Sequence, residues 1–236
     1  MIWKNNADGK KCQNAAPSRS PGKPELSHKR SYSMAHANHN DFTANPAPLG
    51  LLGFGMTTIL LNLHNAGLFS MNAMILSMGL FYGGAAQVIA GLMEWKKGNT
   101  FGTVAFTSYG FFWMVLVGIV SFPKTGLMDA TSAGGMVAFL TLWGIFTAFL
   151  FVGTFTLNRA TQIIFGSLTL LFALLAIGDA TGNEAITHLA GWEGIFCGAS
   201  AMYAAAAQVL NEMFGREVLP LGNKPAVAAA ALKKAA

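Results

Sequence analysis

Hydroxyl and amide side chains recur inside long apolar stretches of this 236-residue sequence. Such groups are costly in apolar surroundings and are often functional there. They can replace the water around a small polar solute without trapping it by a full charge. The alternative is that they bond back to the helix backbone and fill packing gaps, and both interpretations stay open. The residues concerned are Thr57, Thr58, Asn62, Gln87, Thr107, Ser108, Tyr109, Ser167, Thr169, Ser200, Tyr203 and Gln208.

Three bulky residues lie beside these hydroxyl groups, in the first, third and fifth apolar stretches. Phe54 precedes Thr57 and Thr58 by three and four residues, which places them on one helix face. Tyr109 and Leu168 occupy comparable places next to Ser108 and Thr169. We therefore expect Phe54, Tyr109 and Leu168 to face one axis and to form a narrow apolar neck flanked by polar groups. An ordinary packed aromatic core is the alternative.

Titratable residues lie mostly towards the ends of the apolar stretches. Asp179 and Glu193 come closest to an apolar interior and are candidates for proton transfer, although interfacial charge is the simpler interpretation. His64 and His188 fall on one side of the predicted bundle, where histidine can sense external acidity or serve in a loop or cap. The sequence contains no HExxH, GxSxG or P-loop motif, so we expect no enzymatic activity, no metal and no cofactor.

The composition indicates the elements that must position these residues. Hydrophobic residues make up 53% of the chain and charged residues 11%, whereas a soluble domain has about 25% charged residues. Six apolar segments are long enough to cross about 30 Å of hydrocarbon, which takes about 20 helical residues. We expect an all-α membrane protein with six spans at roughly 48–65, 72–94, 100–122, 134–157, 160–181 and 188–213.

The basic residues predict the orientation. Placing both tails and the second and fourth loops on one side gives 14 Lys and Arg there, against Lys124 alone on the other. Since cytoplasmic loops carry the excess of Lys and Arg, both termini should be cytoplasmic. This distribution also argues against a nucleic-acid partner. Cys12 and Cys197 lie too far apart in the chain, and in surroundings too different, to indicate a disulfide framework or a metal site.

The two ends of the chain differ from the apolar middle. We expect residues 1–43 and 223–236 to be disordered tails around a transmembrane domain at 44–222. Met34 is a candidate natural start. The first span opens with "NPAPLG", where Asn45 suits the N-cap and Pro46 the first helical position. The free N–H groups there would favour a carboxylate, so Asn45 is a candidate substrate contact.

An internal echo suggests repeated helix hairpins around a centre. "FYGGAAQV" at 81–88 aligns without gaps to "MYAAAAQV" at 202–209, in the second and sixth spans, and matches Gln87 to Gln208. "FGMTTILL" in the first span weakly matches "FGSLTLLF" in the fifth. Hairpins of spans 1–2, 3–4 and 5–6 fit this pattern better than an inverted repeat, although the middle hairpin shows no clear echo. Shared small-residue bias between membrane helices is the alternative.

Long motifs then identify a family resemblance. "NPAPLGLLGFG", "FYGGAAQVIAGLMEWKKGNTFGTVAFTSYGFFW" and "GASAMY…NEMFGR" resemble the acetate uptake transporters, in particular the bacterial succinate–acetate permease branch. The resemblance covers about 45–222 and neither tail. It implies a six-helix protomer with a fold similar to that of the proton-gated urea channels, a hexameric ring in the bacterial cytoplasmic (inner) membrane, and transport of acetate and succinate. By motif, the family's pore constriction corresponds to Phe54, Tyr109 and Leu168, and its selectivity positions to Leu168 and Ala201.

The expected function is therefore proton-linked transport of acetate, succinate or other small carboxylates. Hydroxyls at Thr57, Thr58 and Ser108, with the amide of Gln87, would replace water around the substrate. The apolar neck would penalise hydrated ions, because a buried unpaired charge is expensive. The alternatives are a channel for small neutral solutes such as urea or ammonia, and an acetate sensor that transports nothing.

Overall fold

The computed structural model describes residues 43–223, and this part of the chain forms six long helices and no β-strand. A short 3-10 turn, Pro123–Thr125, follows the third helix. The six predicted segments are confirmed, with ends that differ by a few residues. The helices are α1 (Ala47–Asn65), α2 (Ala73–Lys96), α3 (Thr100–Ser121), α4 (Ala133–Thr154), α5 (Arg159–Thr181) and α6 (Glu184–Phe214).

Five of these helices, α1 to α5, are long and apolar enough to cross a membrane. Helix α6 is longer, with 31 residues, but it is not counted with them because its composition is less apolar. Glu184, Glu193 and Glu212 lower the hydropathy of α6, and Glu184 and Glu212 lie near its two ends. Helix α6 thus has one carboxylate, Glu193, in its middle part.

Side-chain caps begin five of the six helices. Each cap is an Asn or a Ser whose oxygen accepts a hydrogen bond from a backbone N–H in the first turn, which satisfies a donor that the helix leaves free. These residues, which lie in the loops, therefore fix where each of the following helices begins. The caps are Asn72, Asn99, Ser132, Asn158 and Asn183.

Helix α1 begins differently from the prediction. Its first residue is Ala47, and Pro46, not Asn45, occupies the N-cap position. Asn45 still contributes to the helix start, because its Oδ1 accepts a hydrogen bond from Ala47 N at 3.1 Å. The two prolines lie at the very beginning of the helix, where no backbone N–H is needed.

The helices form a closed set of neighbours. Helix α1 packs most extensively against α6 and also against α2, α2 packs against α3, and α5 packs against both α4 and α6. The backbones of α3 and α4 approach each other at few places. Contacts between α3 and α4 are made instead by large side chains such as Tyr109 and Trp143, whose ring centroids lie 6.0 Å apart.

Glycines bring α1 and α6 into backbone contact. A Cβ added to Gly55 would lie 2.7 Å from Gly198 O, and one added to Gly198 would lie 2.6 Å from Gly55 O. Real Cβ atoms do not approach a carbonyl oxygen so closely. Only glycine fits at these two positions, as expected where membrane helices pack through small residues.

Helix α2 contains a π-helical stretch, Met78–Ala86, which separates the α-helical parts Ala73–Ser77 and Gln87–Lys96. π-Helical segments are rare and are frequent at functional sites. Gln87 is the first residue after this stretch. The predictions for the tails concern residues 1–42 and 224–236, which lie outside the described part of the chain.

Candidate functional site

A small cavity of about 20 Å³ lies between helices α1, α2, α3 and α5. Its wall is almost entirely apolar. Among the lining residues only Gln87 and Tyr109 have polar side chains. The lining residues are Leu51, Phe54, Gln87, Ala105, Phe106, Tyr109, Ile164, Phe165 and Leu168. The first, third and fifth helices thus supply eight of the nine residues, and α2 supplies the ninth.

The three residues assigned to the neck lie together in this wall. Phe54, Tyr109 and Leu168 are 6%, 3% and 4% exposed, and all three line the cavity. The rings of Phe54 and Tyr109 have centroids 6.0 Å apart. The same rings belong to the hydrophobic core. The narrow neck and the packed aromatic core, the two interpretations of these residues, are therefore one and the same arrangement. Their role as a constriction stays a prediction.

Phe165 is a fourth member of this group that the sequence reasoning missed. Its ring centroid lies 6.1 Å from that of Tyr109, and it lines the cavity between Ile164 and Leu168 on α5. The signal in the sequence is an aromatic–glycine pair in each odd-numbered helix. These pairs are Phe54–Gly55, Tyr109–Gly110 and Phe165–Gly166.

The glycine of each pair packs against an even-numbered helix. A Cβ on Gly55 would meet α6, one on Gly110 would meet Val88 and Gly84 of α2, and one on Gly166 would meet Phe151 of α4. The aromatic residue of each pair lines the cavity. This repeated arrangement includes the middle helices, for which the sequence showed no clear echo.

Gln87 is the buried polar residue in the wall. It is 1% exposed, and its Oε1 has no hydrogen-bond partner among the described residues. A buried polar atom without a partner costs free energy, so its presence calls for a specific explanation. Its counterpart in the echo, Gln208, is only half-buried, and its Oε1 accepts a hydrogen bond from Asn45 Nδ2 at 3.0 Å. The two matched glutamines therefore have different surroundings.

The other predicted substrate contacts lie elsewhere. Thr57 is fully buried, and its hydroxyl donates to Met78 O of the π-helical stretch at 3.4 Å. Thr58 is 2% exposed, and its hydroxyl has no partner among the described residues. Ser108 is half-buried and Ala201 is fully buried. None of these four residues, nor the exposed Asn45, lines the cavity, and their contact with a substrate stays a prediction.

Tyr109 makes a hydrogen bond that the sequence did not indicate. Its hydroxyl lies 2.9 Å from Thr147 Oγ1 of α4, and Thr147 Oγ1 in turn donates to Trp143 O at 2.7 Å. Thr147 is fully buried. The available signal was a single Thr in the middle of the apolar α4 sequence "LWGIFTAFLF".

The titratable candidates are spread over the bundle. Glu193 is half-buried, and its Oε1 accepts a hydrogen bond from Ser167 Oγ at 2.5 Å. Asp179 is exposed near the end of α5. His64 and His188 line a separate open cavity of about 460 Å³, together with Glu184, at the ends of α1 and α6. None of these residues lines the cavity that contains Gln87.

Comparisons with known proteins agree with this architecture. The chain is 62% identical to the succinate-acetate/proton symporter SatP of Escherichia coli (strain K12) over 184 residues, which are 78% of this chain and 98% of that protein. It is 37% identical to the ammonia transport outward protein 2 of Saccharomyces cerevisiae over 175 residues, 70% of this chain and 61% of that protein.

A solved structure and a family model match the helical region. The structure of the bacterial acetate channel SatP superimposes with a TM-score of 0.76 and 63% sequence identity, covering 76% of this chain and 99% of that one. The family model described as GPR1/FUN34/yaaH matches residues 29–221. The chain is a member of the GPR1/FUN34/yaaH family.

Proposed function

We propose that this protein transports acetate, and succinate or other small carboxylates, across the bacterial cytoplasmic membrane through a pore in each protomer. It is not an enzyme and uses no cofactor. The E. coli relative at 62% identity is named a succinate-acetate/proton symporter, and the matching structure is that of an acetate channel. The observation that carries the proposal is the apolar cavity that contains one buried amide, Gln87.

The cavity wall suits the two ends of acetate. Phe54, Leu168 and Ile164 offer apolar surface to the methyl group. The amide of Gln87, whose Oε1 is buried and has no partner among the described residues, would offer hydrogen bonds to the carboxyl group. An amide can donate through its nitrogen and accept through its oxygen, so it can bind either the acid or the anion. Thr57, Thr58, Ser108 and Ala201 contribute along the rest of the path, and Asn45 contributes at its cytoplasmic end.

The apolar neck makes the protonated substrate the easier one to pass. A charge that is buried without a partner is expensive, whereas acetic acid or an acetate ion with a co-moving proton avoids much of that cost. Selectivity then depends on the width of the neck and on the polar groups beside it. Transport linked to protons follows from this energetic difference.

The orientation and assembly complete the proposal. Both termini are cytoplasmic, since the second and fourth loops carry Lys96, Lys97 and Arg159. The protein assembles as a homohexamer, which the resemblance to the acetate uptake transporters supports. Large exposed apolar side chains on the outside of the bundle suit lipid and neighbouring copies, among them Phe81, Phe149, Ile145 and Phe196.

Acetate flux in proteoliposomes tests the proposal. The purified protein should accelerate the uptake of radiolabelled acetate above that of protein-free liposomes, and excess succinate should compete. An imposed gradient, acidic outside, should drive accumulation above equilibrium that collapses when the gradient is removed. A protein that binds acetate yet leaves the vesicles empty is a sensor, and that result would contradict the proposal.

A channel for ammonia is the second candidate function, because the yeast relative at 37% identity is named an ammonia transport protein. The apolar wall of the cavity would also admit a small neutral molecule. This function predicts ammonia-driven changes of internal pH in proteoliposomes that excess acetate or succinate leaves unaltered. Competition by carboxylates would instead assign both solutes to the proposed pathway.

A further inference from the structure

Both histidines of the described residues line one cavity. His64 lies in the last turn of α1, and His188 lies in the second turn of α6. The open cavity of about 460 Å³ that they share, here called the histidine cavity, is also lined by Asn65, Gly67, Phe69, Ser70, Glu184 and Thr187. Imidazole, amide, hydroxyl and carboxyl groups thus surround it, whereas the wall at Gln87 is almost entirely apolar.

The ring of His64 has one nitrogen available for a ligand. Its Nδ1 lies 3.0 Å from Phe69 O, and a carbonyl oxygen can only accept, so Nδ1 carries a proton and donates it. In a neutral imidazole the other nitrogen, Nε2, then has only a lone pair. It gains an N–H group when the ring is protonated. His64 can therefore donate to an anion in the cavity only as the imidazolium ion.

His188 is brought to the same place by the loop after α1. A Cβ added to Gly67, whose φ is +79°, would lie 3.0 Å from His188 Nε2. The side chain of His188 is exposed and has neither a hydrogen bond nor an ion pair among the described residues. Both of its ring nitrogens are therefore free to bind a ligand.

The other charged groups near the histidine cavity are acidic. Glu184 lies in its wall, four residues before His188 on α6, and forms no ion pair among the described residues. Helix α5 packs against α6 and contributes Asp179, which is exposed and does not line the cavity. Helix α1, the loop at 66–72 and the first part of α2, Ala73–Ser77, add no other titratable side chain. An anion is therefore attracted to this place only when the histidines are protonated.

We propose that the histidine cavity binds a carboxylate on the non-cytoplasmic side of the membrane, through N–H groups of protonated His64 and His188. This inference rests on the proposed transport of carboxylates, which gives the ligand class, and on the proposed orientation. Hydrogen bonds between ionised groups are roughly twice as strong as neutral ones. Two imidazolium ions suit the two ends of succinate, and one suffices for acetate. Because histidine titrates near neutrality, the cavity collects substrate and protons together when the outside is acidic.

Calorimetric titration with succinate tests the site on the purified full chain, prepared in detergent without a polyhistidine tag. The wild type should bind succinate roughly tenfold more tightly at about pH 6 than at about pH 8, the factor expected for one hydrogen bond to a charged group. Binding that favours the protonated histidines must also take up protons, because the two equilibria are linked. The measured heat should therefore change with the ionisation enthalpy of the buffer.

Two substitutions remove the imidazole groups with little other change. His64→Asn keeps an N–H group that can donate to Phe69 O but has no counterpart of Nε2. His188→Gln keeps a polar side chain that cannot be protonated. The double variant should bind succinate equally at both pH values, as weakly as the wild type does at about pH 8. The three histidines in residues 1–42 remain in every variant, so the difference belongs to the histidine cavity.

Two acidic residues supply further variants. Glu184→Gln removes the opposing charge from the wall and should tighten succinate binding, and weaker binding would contradict an anion site. Asp129→Asn is the matched control, since Asp129 is exposed on the same side of the bundle and does not line the cavity. It should leave the affinity and its pH dependence nearly unchanged.

The outcomes separate this site from the proposed transport. A double variant that retains the wild-type pH dependence overturns the histidine cavity as a binding site, and acetate flux still tests the transport. Histidine-dependent binding in a protein that moves no acetate overturns the transport and leaves the carboxylate site in place. A measurement on the wild type needs no variant to fold. Succinate should slow the modification of His188 by diethyl pyrocarbonate, and an equal rate with and without succinate would overturn the proposal.

Discussion

Phe54 of α1 and Tyr109 of α3 lie with their ring centroids 6.0 Å apart and their ring planes inclined by 47°. Neither ring stacks flat on the other, and both form part of the cavity wall. Side chains, and not backbone, therefore close this part of the bundle. Small changes of side-chain volume or rotamer should alter what passes, while the helices stay in place.

Leu168 gives the most direct test of the neck. Leu168→Ala should permit uptake of a bulkier monocarboxylate such as lactate while acetate uptake persists, because Leu168 is 4% exposed and lines the cavity. We expect a loss of about 2–5 kcal/mol in the free energy of unfolding, as for other buried leucines. Uptake of radiolabelled lactate and acetate by proteoliposomes measures the effect.

Leu170→Ala is the matched control, since Leu170 lies on the same helix and is 52% exposed. It should change neither the uptake of lactate nor the stability appreciably. Lactate uptake that stays at background in Leu168→Ala, with acetate uptake retained, would remove Leu168 from the neck.

Replacing Gln87 should separate stability from transport. Gln87→Leu removes a buried oxygen that has no partner among the described residues, so the free energy of unfolding should rise by about 1 kcal/mol. Acetate transport should fall, because the only amide in the cavity wall is lost. Thermal unfolding in detergent and acetate uptake measure the two effects.

Gln208→Leu is the control for this substitution. Gln208 is half-buried and bonded to Asn45, away from the cavity. Its replacement leaves the cavity wall intact, so acetate transport should fall much less than in Gln87→Leu, and stability should not rise. Full acetate transport in Gln87→Leu would exclude the amide from substrate binding.

The contact between α1 and α6 should tolerate no side chain. Gly198→Leu places a Cβ 2.6 Å from Gly55 O, which is too close, so the helices must separate. The free energy of unfolding should decrease by at least the ~1–3 kcal/mol typical of overpacking. Size-exclusion chromatography after heating measures the loss. Ala199→Leu, at the next and exposed position, should behave like the wild type, and equal stability of the two variants would refute the close packing.

The orientation can be tested with single cysteines introduced into a variant without Cys12 and Cys197. Asp129→Cys lies in the exposed segment between α3 and α4, and Thr100→Cys is exposed at the start of α3. In intact cells a membrane-impermeant maleimide should label Asp129→Cys and leave Thr100→Cys unlabelled. In permeabilised cells both should react. The reverse pattern in intact cells would place the termini outside.

The helices could be predicted from the sequence because the patterns that indicate a helix and its ends lie within the segment itself. Apolar segments of about 20 residues, separated by Asn, Ser and Gly, predict membrane-spanning helices and their ends. Helix α1 shows the limit of such rules. Asn45 and Pro46 suit the first two positions of a helix, yet the helix begins at Ala47, and Asn45 also bonds to the distant Gln208.

The cavity was predictable only in part. Phe54, Tyr109 and Leu168 are bulky residues near hydroxyl groups, and the family motifs single them out, so their meeting could be expected. Gln87 was one of several polar candidates, and the sequence could not single it out, because the π-helical stretch that precedes it changes the face on which later residues lie. The hydrogen bond of Thr147 could not be predicted, since its partner is a tyrosine 38 residues away in the chain.

The contact between Gly55 and Gly198 joins the first helix of the bundle to the last. During biosynthesis the chain enters the membrane from its N-terminal end, so the α6-facing surface of α1 has no packing partner until α6 has been made. In that interval Asn62, which ends up fully buried against Gly194 of α6, faces surroundings that do not suit it. Completion of the bundle is thus a late event in the life of the nascent chain, and a ribosome that stops before α6 leaves a product open along one side.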